Sequence, residues 1–145
     1  MDMSDPESIA GLSEHSQQTA LLSACAQFVE VAPELVWLFA IPNGGDRNIA
    51  VAGNLKAEGV KSGVADLLLP VARYGYHGFF IEMKNSRGIQ STAQKKFEQF
   101  VCEQKYLYAV FNHWRPAFHA LCWYLSIDTR TARQEWARTA PNVVS

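Results

Sequence analysis

The sequence predicts one α/β domain, a mixed β-sheet flanked by helices. Three observations predict it. Segments with helical spacing of apolar residues alternate with short runs of strand formers, two of those runs are joined by a glycine-bearing reversal, and 145 residues suit a single hydrophobic core. Residues 1–12 are expected to be a flexible N-terminus, 13–127 the domain, and 128–145 a polar C-terminal tail.

The elements follow in order. "SEHSQQTALLSACAQFVEVA" reads as a helix, because Ala20, Leu21, Ala24, Cys25, Phe28 and Val29 recur with helical period until Pro33 stops the pattern. "LVWLFAI" is a short strand-forming run, cut off by the turn-forming "PNGGDRN". "IAVAGNLKAE" predicts a short helix that ends at Gly59. "DLLLPVA" and "GFFIEMK" predict two strands joined by "RYGYHG", whose glycines suit a tight reversal. "STAQKKFEQFVCEQK" predicts a helix with Ser91 as N-cap, "YLYAVF" a further strand, and "PAFHALCWYLS" a helix with Pro116 in its first turn. Trp37, Phe79, Phe80, Phe97, Phe100, Trp123 and Tyr124 are expected in the core. So are Cys25, Cys102 and Cys122, three separated thiols without zinc or redox spacing.

Composition narrows the class. Hydrophobic residues make up 48% and charged residues 19%, an ordinary globular mixture. No apolar run approaches the ~20 residues of a membrane span, and the acidic start does not resemble a signal peptide, so an intracellular, cytoplasmic protein is expected. The net charge of −1 conceals an asymmetry: residues 1–42 hold six acids and no Lys or Arg, whereas 43–105 hold nine bases against six acids. The middle third could face a polyanion, and a plain solvated surface explains the same excess.

Charge also appears where a core should be. A hairpin centred near Tyr74 sets Asp66 opposite Glu82, and directly opposed residues share a face with Cβ atoms roughly 4.5–5.5 Å apart. Lys84, two residues on, is expected on that face, while Met83 points into the core. Two adjacent carboxylates repel, and a divalent cation resolves the conflict. A surface Lys84–Glu82 pair with Asp66 capping a turn is the other reading. Glu14 reads as a favourable acid in a helix's first turn, and Ser91-x-x-Gln94 as a capping box. Asn43, Arg47, Lys56 and Lys61, with the backbone at Ser62 and Gly63, are candidates for phosphate contacts beside the alternative of a plain loop.

The wider string adds to this. "AIPNGGDRN", "LKAEGVKSGVADLLLP", "YHGFFIEMK" and the following "SxxQ" closely resemble the VRR-NUC domain (virus-type replication-repair nuclease), a branch of the PD-(D/E)xK superfamily, from about Glu14 to Leu125. The resemblance implies a restriction-endonuclease-like fold and a Mg²⁺- or Mn²⁺-dependent DNA endonuclease, similar to the stand-alone phage and bacterial form. It implies Asp66, Glu82, the Met83 carbonyl and Glu14 as metal ligands, Lys84 as catalytic lysine, and Gln94 as the glutamine that follows the "ExK" strand. Branched DNA of the Holliday-junction kind is the expected substrate and a homodimer the expected form. A nickase, a flap or end-directed nuclease acting as a monomer, or a non-catalytic DNA-binding module are the alternatives. Two positions depart from the family: Ala65 stands where proline is usual, and Lys105 where glycine commonly precedes the last strand.

Overall fold

In a computed structural model of the chain, residues 13–43, 49–85, 87–128 and 130 are described. The expected N-terminal stretch 1–12, Arg47 and most of the tail lie outside them. The chain divides into two compact units, neither of them contiguous: one holds residues 1–38, 83–88 and 110–145, the other 39–82 and 89–109.

The first unit contains helix α1 (Glu14–Gln27) and helix α4 (Trp114–Tyr124). Ser13 caps α1, its hydroxyl accepting from the Ser16 N–H at 3.1 Å. The two helices pack together, with Leu21, Ala24 and Cys25 buried on one and Ala117, Phe118, Leu121 and Cys122 on the other, and Phe28 and Phe118 meet edge-to-face at 5.0 Å. Buried Gln17 joins the two helices by a polar link, its Oε1 accepting the Trp114 N–H at 2.9 Å. At the start of α4, His113 Nδ1 accepts the Arg115 N–H at 3.1 Å.

Helix α1 ends before the expected run does. The chain leaves it at Phe28 and turns, with the Ala32 N–H returning to Phe28 O at 2.8 Å, before Pro33. The expected strand "LVWLFAI" is also shortened, to a 3₁₀ turn over Pro33–Trp37 and a strand β1 of only Phe39–Ala40. Burial explains the difference: Ala32, Leu35 and Leu38 face inward at intervals of three, the period of a 3₁₀ helix. Trp37 falls between them and is 67% exposed rather than in the core. Phe100 and Trp123 are exposed for a related reason, since each lies off the inward stripe of its helix, and Cys102 is exposed where a buried thiol was expected.

The second unit contains β1, helix α2 (Ile49–Ala57), strand β2 (Leu67–Leu69), strand β3 from Phe79, helix α3 (Thr92–Glu103) and the start of β4 (Leu107–Phe111). Strand β3 runs to Met83. The sheet order is β1-β2-β3-β4, antiparallel between β1 and β2 and between β2 and β3. Strand β4 runs parallel to β3: the Leu107 N–H donates to Gly78 O at 3.0 Å near the start, and the Lys84 N–H to Phe111 O at 2.8 Å near the end. Helix α3 makes the crossover. Its Phe97 and Val101, four apart, pack with Ala65, Phe80 and Tyr108 in the unit's core, Phe80 meeting Phe97 edge-to-face at 5.2 Å. Ala65 is fully buried there.

All three later helices close the same way. The N–H two beyond the C-cap returns to the third-last helical carbonyl: Val60 to Leu55, Tyr106 to Val101 and Ile127 to Cys122, at 2.9, 2.9 and 2.8 Å. The motif needs a left-handed residue between, and Gly59 supplies one at φ 98°. Lys105 and Ser126 occupy the equivalent places at φ 65° and 61°. Lys105 thus takes the left-handed position that Gly59 fills after α2.

Candidate functional site

The register of the hairpin decides the first feature. At its tip, Arg73 and Tyr76 exchange backbone hydrogen bonds at 3.2 and 2.8 Å, around Tyr74 (φ 55°) and Gly75 (φ 82°), a type I′ turn. Stepping back one residue for one would set Asp66 against Met83. The ladder instead pairs Leu69 with Phe79, Leu68 with Phe80 and Leu67 with Ile81. The first strand therefore holds one extra residue between tip and ladder. It is absorbed at Pro70, across which the Val71 N–H donates to Leu69 O at 2.9 Å in a γ-turn. The ladder ends at Leu67–Ile81, and one further step along the same register would set Asp66, just before β2, opposite Glu82. A slip of one would have brought Met83 there instead.

Asp66 is held by β1 as well. Its carbonyl accepts the Ile41 N–H at 2.8 Å, which continues the β1–β2 ladder, and its Oδ1 accepts from Asn43 Nδ2 at 2.9 Å. Asn43, a phosphate-contact candidate from the sequence, thus has its amide on an acid. Glu82 is 1% exposed, and its Oε1 accepts from Gln94 Nε2 at 2.7 Å. Its other oxygen, Oε2, makes no hydrogen bond among the described residues.

Gln94 performs two tasks at once. Its Oε1 accepts the Ser91 N–H at 2.8 Å while its own N–H donates to Ser91 Oγ at 3.2 Å, so the capping box is complete. Because the oxygen is used on the helix cap, the nitrogen must face Glu82. The two readings of this residue in the sequence coexist.

Tyr108 was not singled out in the sequence as a site residue. It is buried in strand β4, and its phenolic oxygen accepts from Gln90 Nε2 at 3.3 Å. Burial, and after it the negative charge of Glu82, pushes its phenol well above the ordinary tyrosine range. The phenol therefore stays an O–H at neutral pH. The alternation of "YLYAVF" signals a strand but gives no hint of this neighbour.

In the first unit, Glu14 and Lys84 converge on one glycine. A Cβ placed on Gly88 would lie 3.1 Å from Lys84 Cδ, 3.2 Å from Asn85 Oδ1 and 3.3 Å from Glu14 Oε1. Glycine leaves that space to the three side chains. Their common neighbour could have been sought in the turn-forming "NSRG", which also carries an Asn85 Oδ1 to Arg87 N–H bond of 2.9 Å.

The donor set of Asp66 and Glu82 is hard, anionic oxygen, without thiol or imidazole. Among the described residues no three His, Cys, Asp or Glu side chains gather into a metal cluster. Two carboxylates, one of them buried, suit a cation that keeps several waters, which describes Mg²⁺ or Mn²⁺ better than a zinc cage. The residues fit such an ion.

No family model matches the chain, and no curated protein matches it. A solved structure described as a VRR_NUC domain protein is similar over 80% of this chain and 90% of that one, with a TM-score of 0.64 and 23% identity. The chain has a VRR-NUC fold. That is the restriction-endonuclease-like PD-(D/E)xK arrangement of a mixed sheet with flanking helices.

Within this VRR-NUC fold the remaining candidates fall on the surface of the second unit. Lys56 lies in the last turn of α2, and Lys61 and Ser62 lie exposed in the loop that follows. Gly63 has a packing role of its own: at φ 88°, a Cβ there would lie 2.7 Å from Ala93 Cβ and 2.8 Å from its carbonyl carbon. None of the described helices is long and apolar enough to cross a membrane.

Proposed function

We propose that the chain is a Mg²⁺- or Mn²⁺-dependent endonuclease that hydrolyses phosphodiester bonds in DNA, acting as a homodimer on branched, junction-like substrates. The observation that carries the reading is the β2–β3 register, which leads one step beyond Leu67–Ile81 to Asp66 and the buried Glu82, two acids that would repel each other without a cation nearby. The fold likeness to a VRR_NUC domain protein supports a nuclease over a generic acidic site.

Asp66 and Glu82 would hold the ion, with Glu14 and the Met83 carbonyl as further ligands. When bound, the ion acidifies a water and offsets charge developing on the phosphate. Gln94 keeps the Glu82 carboxylate from rotating. Lys84 is assigned the stabilisation of the phosphoryl oxygens or the orientation of the attacking water. A water oxygen bonds to phosphorus in line, the bond to the 3′ oxygen breaks, and that oxygen takes a proton, leaving a 5′ phosphate and a 3′ hydroxyl. Lys56, Lys61 and the backbone at Ser62 would contact flanking phosphates, as would Arg47. Two active sites in a dimer account for paired cuts on a symmetric junction.

The test is cleavage of labelled four-way junction, flap, nicked and linear DNA with Mg²⁺ or Mn²⁺, alongside mass in solution. Junctions cut fastest by a dimer, with Glu82→Ala inactive, is the expected result. Cutting of flaps or ends by a monomer would replace the substrate assignment. DNA binding without cleavage under either metal would reduce the protein to a binding module.

A further inference from the structure

The tip of the β2–β3 hairpin holds a residue that its own turn resists. Tyr74 stands at φ 55° as the first central residue of the type I′ turn, with Gly75 second. Both places need positive φ, which asparagine and glycine adopt readily and a bulky side chain does not. Tyr74 is 57% exposed, so packing into the core does not offset the strain. Strain of this kind gathers where a side chain is kept for contact with a ligand.

A basic surface lies beside it. Arg73 precedes Tyr74, and its guanidinium is steered by an Nη1 to Ala72 O bond of 2.8 Å. The His77 N–H donates to Lys105 O at 2.9 Å, which brings the turn after α3 alongside the hairpin. Lys105 is exposed and, at φ 65°, is another non-glycine residue in the left-handed region. Glu103, the acid nearest to it along the chain, accepts from Gln99 Nε2 at 3.1 Å on α3.

We propose that this end of the sheet is a second DNA contact, in which the Tyr74 ring stacks on an unpaired base while Arg73 and Lys105 meet flanking phosphates. The contact rests on the DNA reading above and deepens it. The length of the hairpin separates Tyr74 from Asp66 and Glu82, ~20 Å at the usual rise per strand residue. That is several base pairs from the cut, the place of a branch or a single-stranded arm rather than of the scissile phosphate. Every base has a π-face, so a tyrosine holds an unpaired base without reading sequence. Bases within an intact duplex keep those faces covered, and the contact therefore favours DNA with unpaired bases. A second copy of this chain fits the patch less well. One tyrosine buries about 250 Å² at most, against roughly 800 Å² per partner in a stable interface. Its neighbours Ala72, Arg73 and Gly75 are small or charged.

The test uses the full chain without divalent ions, so that binding is read apart from cleavage. Wild type, Tyr74→Phe and Tyr74→Asn are titrated with a blunt duplex and with the same duplex carrying a single-stranded arm. Melting temperature and mass in solution are recorded for each protein. Wild type and Tyr74→Phe, which keeps the ring, are expected to prefer the armed duplex by about fivefold or more, the lower end of base–aromatic stacking. Tyr74→Asn is expected to lose that preference at unchanged mass while melting about 2–4 °C higher, because asparagine suits the turn. Equal binding of both duplexes by wild type, or the wild-type preference in Tyr74→Asn, would overturn the contact. Cleavage by wild type with Mn²⁺ would then still uphold the nuclease reading. A changed mass in Tyr74→Asn would assign the tip to a second copy of this chain instead. Wild type that neither binds nor cleaves DNA would overturn the nuclease reading, and the contact with it.

Discussion

Gln94 Nε2 lies 2.7 Å from Glu82 Oε1, and the same side chain closes the capping box of α3 through its oxygen. Helix start and acid are therefore fastened by one amide. Gln94→Glu should separate the two tasks. Glutamate can still accept the Ser91 N–H, but it sets a second carboxylate against Glu82. Without divalent ions, urea unfolding should show a loss of roughly 1–3 kcal/mol at pH 7. Equal stability of the variant and wild type at pH 7 would count against the contact.

Lys105 sits at φ 65° in the closing turn of α3, a left-handed conformation that favours glycine. A left-handed non-glycine residue costs roughly 1–2 kcal/mol. Glycine's extra freedom in the unfolded chain offsets part of that. Lys105→Gly should therefore stabilise by about 0.5–1 kcal/mol and raise Tm by about 2–3 °C. A lower Tm would show that the lysine side chain contributes more than its backbone costs.

Two glycines give opposite expectations. At Gly63 a methyl would meet Ala93 backbone atoms at 2.8 and 2.9 Å on a backbone at φ 88°. Gly63→Ala should destabilise by roughly 2–4 kcal/mol in thermal or urea unfolding. At Gly88 the nearest neighbour is the Lys84 stem at 3.1 Å, which can move. Gly88→Ala should leave stability within about 1 kcal/mol and instead slow DNA cleavage by displacing Lys84 and Glu14. Unchanged cleavage would separate Gly88 from the catalytic assignment.

The cysteines predict an alkaline limit. Burial, then the neighbouring Cys122, pushes the Cys25 thiol up to about 12, and burial pushes Cys122 up to about 11. Both folded values lie above the unfolded value of 9.0, so the unfolded chain loses these protons first. Stability is then complete below pH 9 and falls as pH rises towards 11 and 12, by up to about 1.4 kcal/mol per pH unit for each thiol. Cys25→Ala should flatten the slope of stability against pH between 9 and 11. A thiol reagent should find one accessible cysteine in the native protein, Cys102, and three after denaturation.

The sequence made the hairpin legible because two strand-forming runs flank a glycine-bearing turn, whereas the extra residue at Pro70 that fixes its register gave no local signal. The capping box was legible because it is local. What escaped reading was mostly long-range. Asn43 and Asp66 are twenty-three residues apart, and nothing in "IPNGG" says which acid the amide will meet. The convergence of Glu14, Lys84 and Gly88 likewise depends on tertiary packing. Trp37, Phe100 and Trp123 were misplaced because hydrophobic size does not reveal which side of a helical turn faces inward. The 3₁₀ turn was hidden by strand-forming residue types, although its spacing of three was present in Ala32, Leu35 and Leu38.

The most direct measurement is Mn²⁺ binding to wild type, Asp66→Asn and Glu82→Gln, followed by the spectroscopic signal of the unbound ion. The account predicts saturable binding by wild type and a loss of at least about tenfold in affinity in each variant, both still folded. Wild-type affinity in folded Asp66→Asn and Glu82→Gln would contradict it.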